Sequence, residues 1–255
     1  MSTPSSPSLA LPLHRHHVRL RHHIRLRRRH DHNLPLLLKR TISAQIHAWA
    51  AIGSAAAMLS LVGLSYSAGW QRVLCVSIFS GSAFLLFSAS AILHLCTDGY
   101  RISKTFENLL ENTDKFFIHI LIAGTYTAII DISLVDPLKT KMLMAVWSVG
   151  FVGILYTMTY DHLPKFFRSR ILYTGQFLAM GWLIVFCFNE MIAAFTRDQI
   201  SWIFTGGGLY SVGAVIYAVE RPNPSKYFGY HEIWHVLVVL GCASFFKVIF
   251  LNYRS

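Results

Sequence analysis

Charged residues are scarce in this chain. Asp, Glu, Lys and Arg make up 14% of its 255 residues, against about 25% in an average soluble domain. A chain so short of charge lacks the polar surface to cover a water-soluble globule. Acidic residues are scarcer still, 12 against 23 Lys and Arg, which leaves a net charge of +11. A surplus of that size ordinarily raises nucleic acid as a partner. Here the basic residues gather in the N-terminal stretch and in certain loops, which points to membrane topology and away from nucleic acid. Cysteine is confined to Cys75, Cys96, Cys187 and Cys242, scattered through apolar stretches with no CxxC pair. No disulfide framework is expected, and the four read as small apolar packing groups between helices. No segment repeats at a fixed period, which excludes a solenoid. A secretory signal peptide is not expected either, since the apolar run Leu9 to Leu13 is short and broken by Pro12.

What the chain does have is apolar length: 54% hydrophobic residues and a mean hydropathy of +0.45. A bilayer-spanning helix needs about 20 mostly apolar residues. Seven segments meet that description, at 42–65, 72–96, 115–133, 141–160, 171–189, 198–219 and 230–251. Ser67-Ala68-Gly69, Asp136-Pro137, Pro164 and Arg221-Pro222-Asn223-Pro224 punctuate them, because proline cannot continue a helix. Gly206, Gly207 and Gly208 in the sixth segment read as a place of close helix approach. The expected fold is an all-α integral membrane protein, a seven-transmembrane helix bundle over residues 41–255.

Residues 1–40 read as a separate unit, a solvated and largely disordered basic arm running from His14 and Arg15 to Arg29 before the first acidic residue, Asp31. A metal-binding His tract, a contact for anionic lipid and an organelle presequence are its sharper readings. Lys and Arg also orient the bundle. With the N-terminus in the cytosol, the inner side collects the arm together with Arg101, Lys104, Lys115, Lys165, Arg168, Arg170, Arg221 and Lys226. The outer side then holds Arg72, Lys139, Lys141, Arg197 and Arg254. Positive-inside bias therefore gives a cytosolic N-terminus and a C-terminus outside.

Ionisable groups inside hydrocarbon are expensive and mark function. Under this topology the second segment ends near His94, while the third begins at Asp114 and the seventh at His231 and His235, all toward the cytosolic face. His231 and His235 are i and i+4, so both imidazoles leave one helical face a turn apart. With His94 as the third ligand they form the three-ligand arrangement of a catalytic zinc, with one position open. Ser90 is i−4 to His94 and so shares its face, as an outer partner. A lone intramembrane histidine is more often hydrogen-bonded to a neighbouring helix, and His47 and His119 are read that way, although His47, near the inner end of the first segment, could line the site. The stretch His231-Glu232-Ile233-Trp234-His235 also matches HExxH, in which Glu232 would be the general base of a metalloprotease. No third ligand of the extended versions follows it, and Glu232 is equally readable as a solvated helix-start residue.

Four stretches resemble a known family when taken in order: Ser90-Ala-Ile-Leu-His94; Asp114 followed by Leu121-Ile-Ala-Gly-Thr-Tyr-Thr127; Gly181-Trp182; and Gly229-Tyr-His-Glu-Ile-Trp-His235. Over roughly residues 41 to 252 the chain is similar to the hemolysin III-like proteins and the related progestin and adipoQ receptors. That resemblance implies a seven-helix bundle with an intramembrane zinc held by His94, His231 and His235, with Ser90 in the Ser-x3-His motif and Asp114 holding water at the metal. Leu93 stands where relatives commonly carry an aromatic residue, and Lys115 and Phe116 where they often carry small or polar ones. Both departures bear on pocket shape and substrate.

The expected function is a zinc-dependent hydrolase of a membrane lipid, such as a ceramide-like amide, a choice supported by the superfamily's similarity to alkaline ceramidases. His94, His231 and His235 would hold zinc, Asp114 would orient or deprotonate water, and Ser90 would support the oxyanion. A receptor or membrane-homeostasis sensor with a structural zinc is the alternative. A pore is disfavoured because the outer halves of the segments are nearly all apolar.

Overall fold

The computed structural model of the protein describes residues 42–99 and 102–254, so the basic arm lies outside the described residues. Seven helices long and apolar enough to cross a membrane follow one another: α1 (Ile42–Ala68), α2 (Trp70–Gly99), α3 (Lys104–Ser133), α4 (Leu138–Thr159), α5 (Arg170–Ala194), α6 (Arg197–Val219) and α7 (Tyr230–Arg254). No strand occurs among the described residues. The bundle exposes large apolar side chains, with Trp49 at 70%, Leu59 at 78% and Phe186 at 77% exposure. Water would penalise such a surface, whereas lipid accepts it. The protein is an integral, multi-pass membrane protein. An odd number of crossings puts the start of α1 and the end of α7 on opposite faces.

Local chemistry sets where the helices begin and end. Ser103, Ser169 and Thr196 are N-caps, their hydroxyls accepting from the N–H of Phe106, Leu172 and Gln199. Gln199 returns the favour to Thr196 in a complete capping box. Two hydrogen bonds from Thr140 hold the Asp136 carboxyl below its usual range at the entry to α4. α6 ends at Glu220, whose left-handed backbone (φ 60°) precedes Arg221-Pro222. Within the spans, Ser80, Thr125, Thr127 and Ser244 donate to carbonyls of their own helices, so their hydroxyls do not face hydrocarbon unpaired.

Two boundaries differ from the sequence reading. α3 begins at Lys104, so Asp114 lies nearly three turns inside the helix and is not its first residue. An apolar window misses those turns because Lys104, Glu107, Asn108, Glu111 and Asn112 are polar. The segment read as one run at 171–189 is α-helical over Arg170–Gly181, a 3-10 stretch over Trp182–Cys187, and α-helical again over Phe188–Ala194. The Tyr126 hydroxyl bridges this break, donating to the Gly181 carbonyl at 2.6 Å and accepting from Ile184 N–H at 2.8 Å. Backbone groups freed by a helix break inside a membrane must find such partners. Tyr126→Phe is therefore expected to destabilise the bundle by about 1–3 kcal/mol, read as a lower melting temperature in detergent. An unchanged melting temperature would mean the break is held by other groups.

The same two residues join stretches quoted for the family resemblance, since Tyr126 belongs to one and Gly181 to another. Trp147 Nε1 donates to Thr127 at 3.1 Å, tying α4 to that stretch as well. At the far end of the bundle Asp131 on α3 is salt-bridged to Lys139 and accepts from Gln71 on α2 at 3.1 Å. The glycines behave unequally. A Cβ on Gly206 would stand 2.8 Å from the Phe245 ring, so α6 and α7 meet closely there, whereas Gly207 and Gly208 have nothing within 4 Å of theirs. Only the first of the three fits the close-packing expectation; the other two border open space.

Candidate metal centre

α7 starts where it does because its first turn is well capped. Glu232 Oε2 accepts from Gly229 N–H at 2.8 Å, and Asn223 Oδ1 accepts from Tyr230 N–H at 3.2 Å. The start at Tyr230 puts His231 and His235 in the first two turns, with ring centroids 4.3 Å apart. α2 delivers His94 against both, at 5.3 Å from the His231 ring and 5.1 Å from the His235 ring. One nitrogen from each of the three rings lies within 4.8 Å of the others. His94 Nε2 and His235 Nε2 are only 3.1 Å apart. His235 is 1% exposed.

The donor set fits a zinc ion. Imidazole nitrogen is among zinc's preferred ligands, and tetrahedral bonds of 2.0–2.1 Å put ligand nitrogens about 3.3–3.4 Å apart. The 3.1 Å approach of two ring nitrogens is close to that spacing. A hydrogen bond between two neutral imidazoles would also give it, but the third ring converging on the pair goes beyond what such a bond requires.

Beside the cluster, Asp114 on α3 and Ser90 on α2 are both buried. Ser90 Oγ approaches the Asp114 carboxyl without meeting full hydrogen-bond geometry. All five residues, Ser90, His94, Asp114, His231 and His235, line one cavity of about 950 Å³. From this polar end the cavity runs along Leu121, Ile129, Phe188, Met191, Phe204 and Phe245, so its far part is apolar. Gly207 and Gly208 border it, which accounts for the open space at their Cα atoms. Arg170 stands at the rim, paired with Glu220 at 2.9 Å and stacked over Tyr217 at 4.8 Å.

Three sequence readings change here. Glu232 is not solvated: it is 1% exposed, with Oε1 accepting from Ser43 at 2.9 Å and Oε2 from Gly229. A carboxylate engaged in capping α7 and binding α1 is poorly disposed to act as a protease base. His47 is not hydrogen-bonded to a neighbouring helix; neither of its ring nitrogens has a partner among the described residues. His119 Nδ1 pairs with Lys115 O of its own helix at 3.2 Å, while Gln176 of α5 approaches the ring and, among the described residues, Nε2 meets full hydrogen-bond geometry with no group. His47 does line the cavity, as its place near the inner end of the first segment allowed, but the bond from Ser43 on α1 to Glu232 escaped the sequence reading. Its signal was present, since Ser43 and His47 are i, i+4 like His231 and His235, and so form a polar strip on an apolar helix.

These observations describe a seven-helix membrane protein whose partly buried histidine cluster opens on an apolar cavity. Residues 37–246 match the family model described as Haemolysin-III related. The chain is 33% identical over 195 residues to the hemolysin-3 homolog of Bacillus subtilis (strain 168), covering 75% of this chain and 83% of the relative. It is 32% identical over 181 residues to hemolysin-3 of Bacillus cereus, covering 71% and 76%. A more distant likeness, 26% over 203 residues, links it to the ADIPOR-like receptor IZH2 of Saccharomyces cerevisiae, covering 72% and 61%. The protein belongs to the Haemolysin-III related family, as the resemblance of its motifs implied.

Proposed function

We propose that the protein is a zinc-dependent hydrolase of a membrane lipid, with a ceramide-like amide as the substrate class. The observation that carries this reading is the convergence of three imidazoles at the polar end of an otherwise apolar cavity. His94, His231 and His235 would hold the metal. Zinc supplies positive charge that polarises a carbonyl and makes water a better nucleophile near neutral pH. The chain's own groups do the rest. Asp114, buried beside Ser90, orients water and takes its proton during attack. Ser90 Oγ donates to the carbonyl oxygen as charge develops there. The apolar walls hold the acyl chain, and a volume near 950 Å³ suits a ligand of lipid size. Water adds to the acyl carbon, the C–N bond breaks, and the amine leaves with a proton. The positive-inside bias puts this end of the bundle near the cytosolic face.

The test is release of fatty acid from a short-chain ceramide by the purified protein in detergent, before and after chelation. Hydrolysis should vanish on zinc removal and return with zinc. Gly207→Phe, which fills the open space beside the acyl path, should lower turnover at least about 10-fold with zinc retained. Hydrolysis that survives complete zinc removal would contradict the reading. The alternative is a receptor or membrane-homeostasis sensor with the same three ligands and a structural zinc. The cavity favours it insofar as apolar walls hold a ligand as readily as a substrate, and it predicts saturable lipid binding with no product.

A further inference from the structure

The proposed reaction leaves His47 without a task. The side chain is 3% exposed, and both ring nitrogens are without a partner among the described residues. Burying an orphaned polar atom in this way is costly, a penalty that leucine at the same place in α1 would avoid. The ring is not remote from the cluster. Its centroid is 4.0 Å from that of His235, edge-on at 73°. His235 has one nitrogen, Nε2, turned toward His94 at 3.1 Å, while its other nitrogen, Nδ1, is buried and also lacks a partner among the described residues. A metal-holding imidazole almost always donates its second ring N–H to an acceptor, which fixes its tautomer and its orientation. Ser43 lies one turn before His47 on the same face of α1 and donates to Glu232 at 2.9 Å. That bond docks α1 on the stretch of α7 that carries His235, and holds His47 over it.

We infer that His47 is a positioning residue for the metal centre, its ring turning from the edge-on contact to accept the Nδ1–H of His235 through one of its nitrogens. The inference rests on the zinc reading above. It makes α1 part of the site, although α1 supplies no ligand, and it gives a reason for a histidine whose nitrogens otherwise go unused.

Zinc affinity of the full chain in detergent, measured by competition with a chromogenic chelator, tests it without reference to turnover. His47→Leu keeps the volume and removes the acceptor, and should weaken zinc binding about 10–100-fold. His47→Gln offers an amide oxygen and should recover affinity to within about threefold of wild type. Zinc-edge X-ray absorption should count three imidazoles in wild type and in both variants. Unchanged affinity in His47→Leu overturns the inference, as does His47→Gln binding as weakly as His47→Leu. A fourth imidazole in wild type that is lost in His47→Leu makes His47 a ligand and overturns it too. Wild-type protein that takes up no zinc removes the metal site itself and this inference with it; tight wild-type binding indifferent to His47→Leu removes this inference alone.

Discussion

Asp114→Asn is expected to reduce lipid-amide hydrolysis by about 10²–10⁴-fold while leaving zinc uptake unchanged. The asparagine is nearly isosteric, so the side chain still fills its buried place beside Ser90 on the cavity wall. What it loses is the capacity to take a proton from water. A general base contributes at the transition state, so the loss should fall on kcat as much as on kcat/KM. The measurement is steady-state hydrolysis of the short-chain ceramide together with metal content on the same preparation. Equal turnover in wild type and variant would remove Asp114 from the chemistry. Loss of metal in the variant would instead make Asp114 a ligand, close the fourth position and favour the structural-zinc alternative.

His235→Ala is expected to abolish stabilisation of the protein by zinc. Ligand present at about 1,000 times its Kd stabilises the native state by about 4 kcal/mol, and zinc should therefore raise the melting temperature of metal-depleted wild type. With one of three ligands gone, no such rise is expected at the same zinc concentration. His235 is the most informative of the three for this test, because it is almost wholly buried and approaches both partners in the cluster. A variant that zinc still stabilises as strongly as wild type would show that the metal binds elsewhere. The arm at residues 1–40, with its own histidines, is the natural place to look.

The contrast between what was and was not legible in the sequence is physical. Hydrocarbon demands long apolar helices, so the seven spans could be read almost residue by residue where their ends are apolar. The start of α3 could not, because its first turns are polar and continue the helix beyond the apolar run. The i, i+4 spacing of His231 and His235 is local and visible in any listing of residues, and their convergence with His94 followed from counting crossings. The break in α5 is invisible by comparison. It is stabilised by the hydroxyl of Tyr126, more than fifty residues away along the chain, and nothing within residues 171–189 announces it. The same limit hid the role of Glu232: its motif suggested catalysis, but its partner Ser43 lies on α1, and only packing brings the two together. Short-range periodicity is written in the chain, whereas pairings between distant helices belong to the fold.

Elemental analysis is the simplest test of whether His94, His231 and His235 hold zinc. Wild-type protein purified in mild detergent from zinc-replete cells, without chelator, should carry about one zinc per chain, the number a single three-histidine site can hold. Protein that is folded, metal-replete in its preparation and yet free of zinc would rule the metal site out, and would leave the three histidines as a hydrogen-bonded packing cluster between α2 and α7.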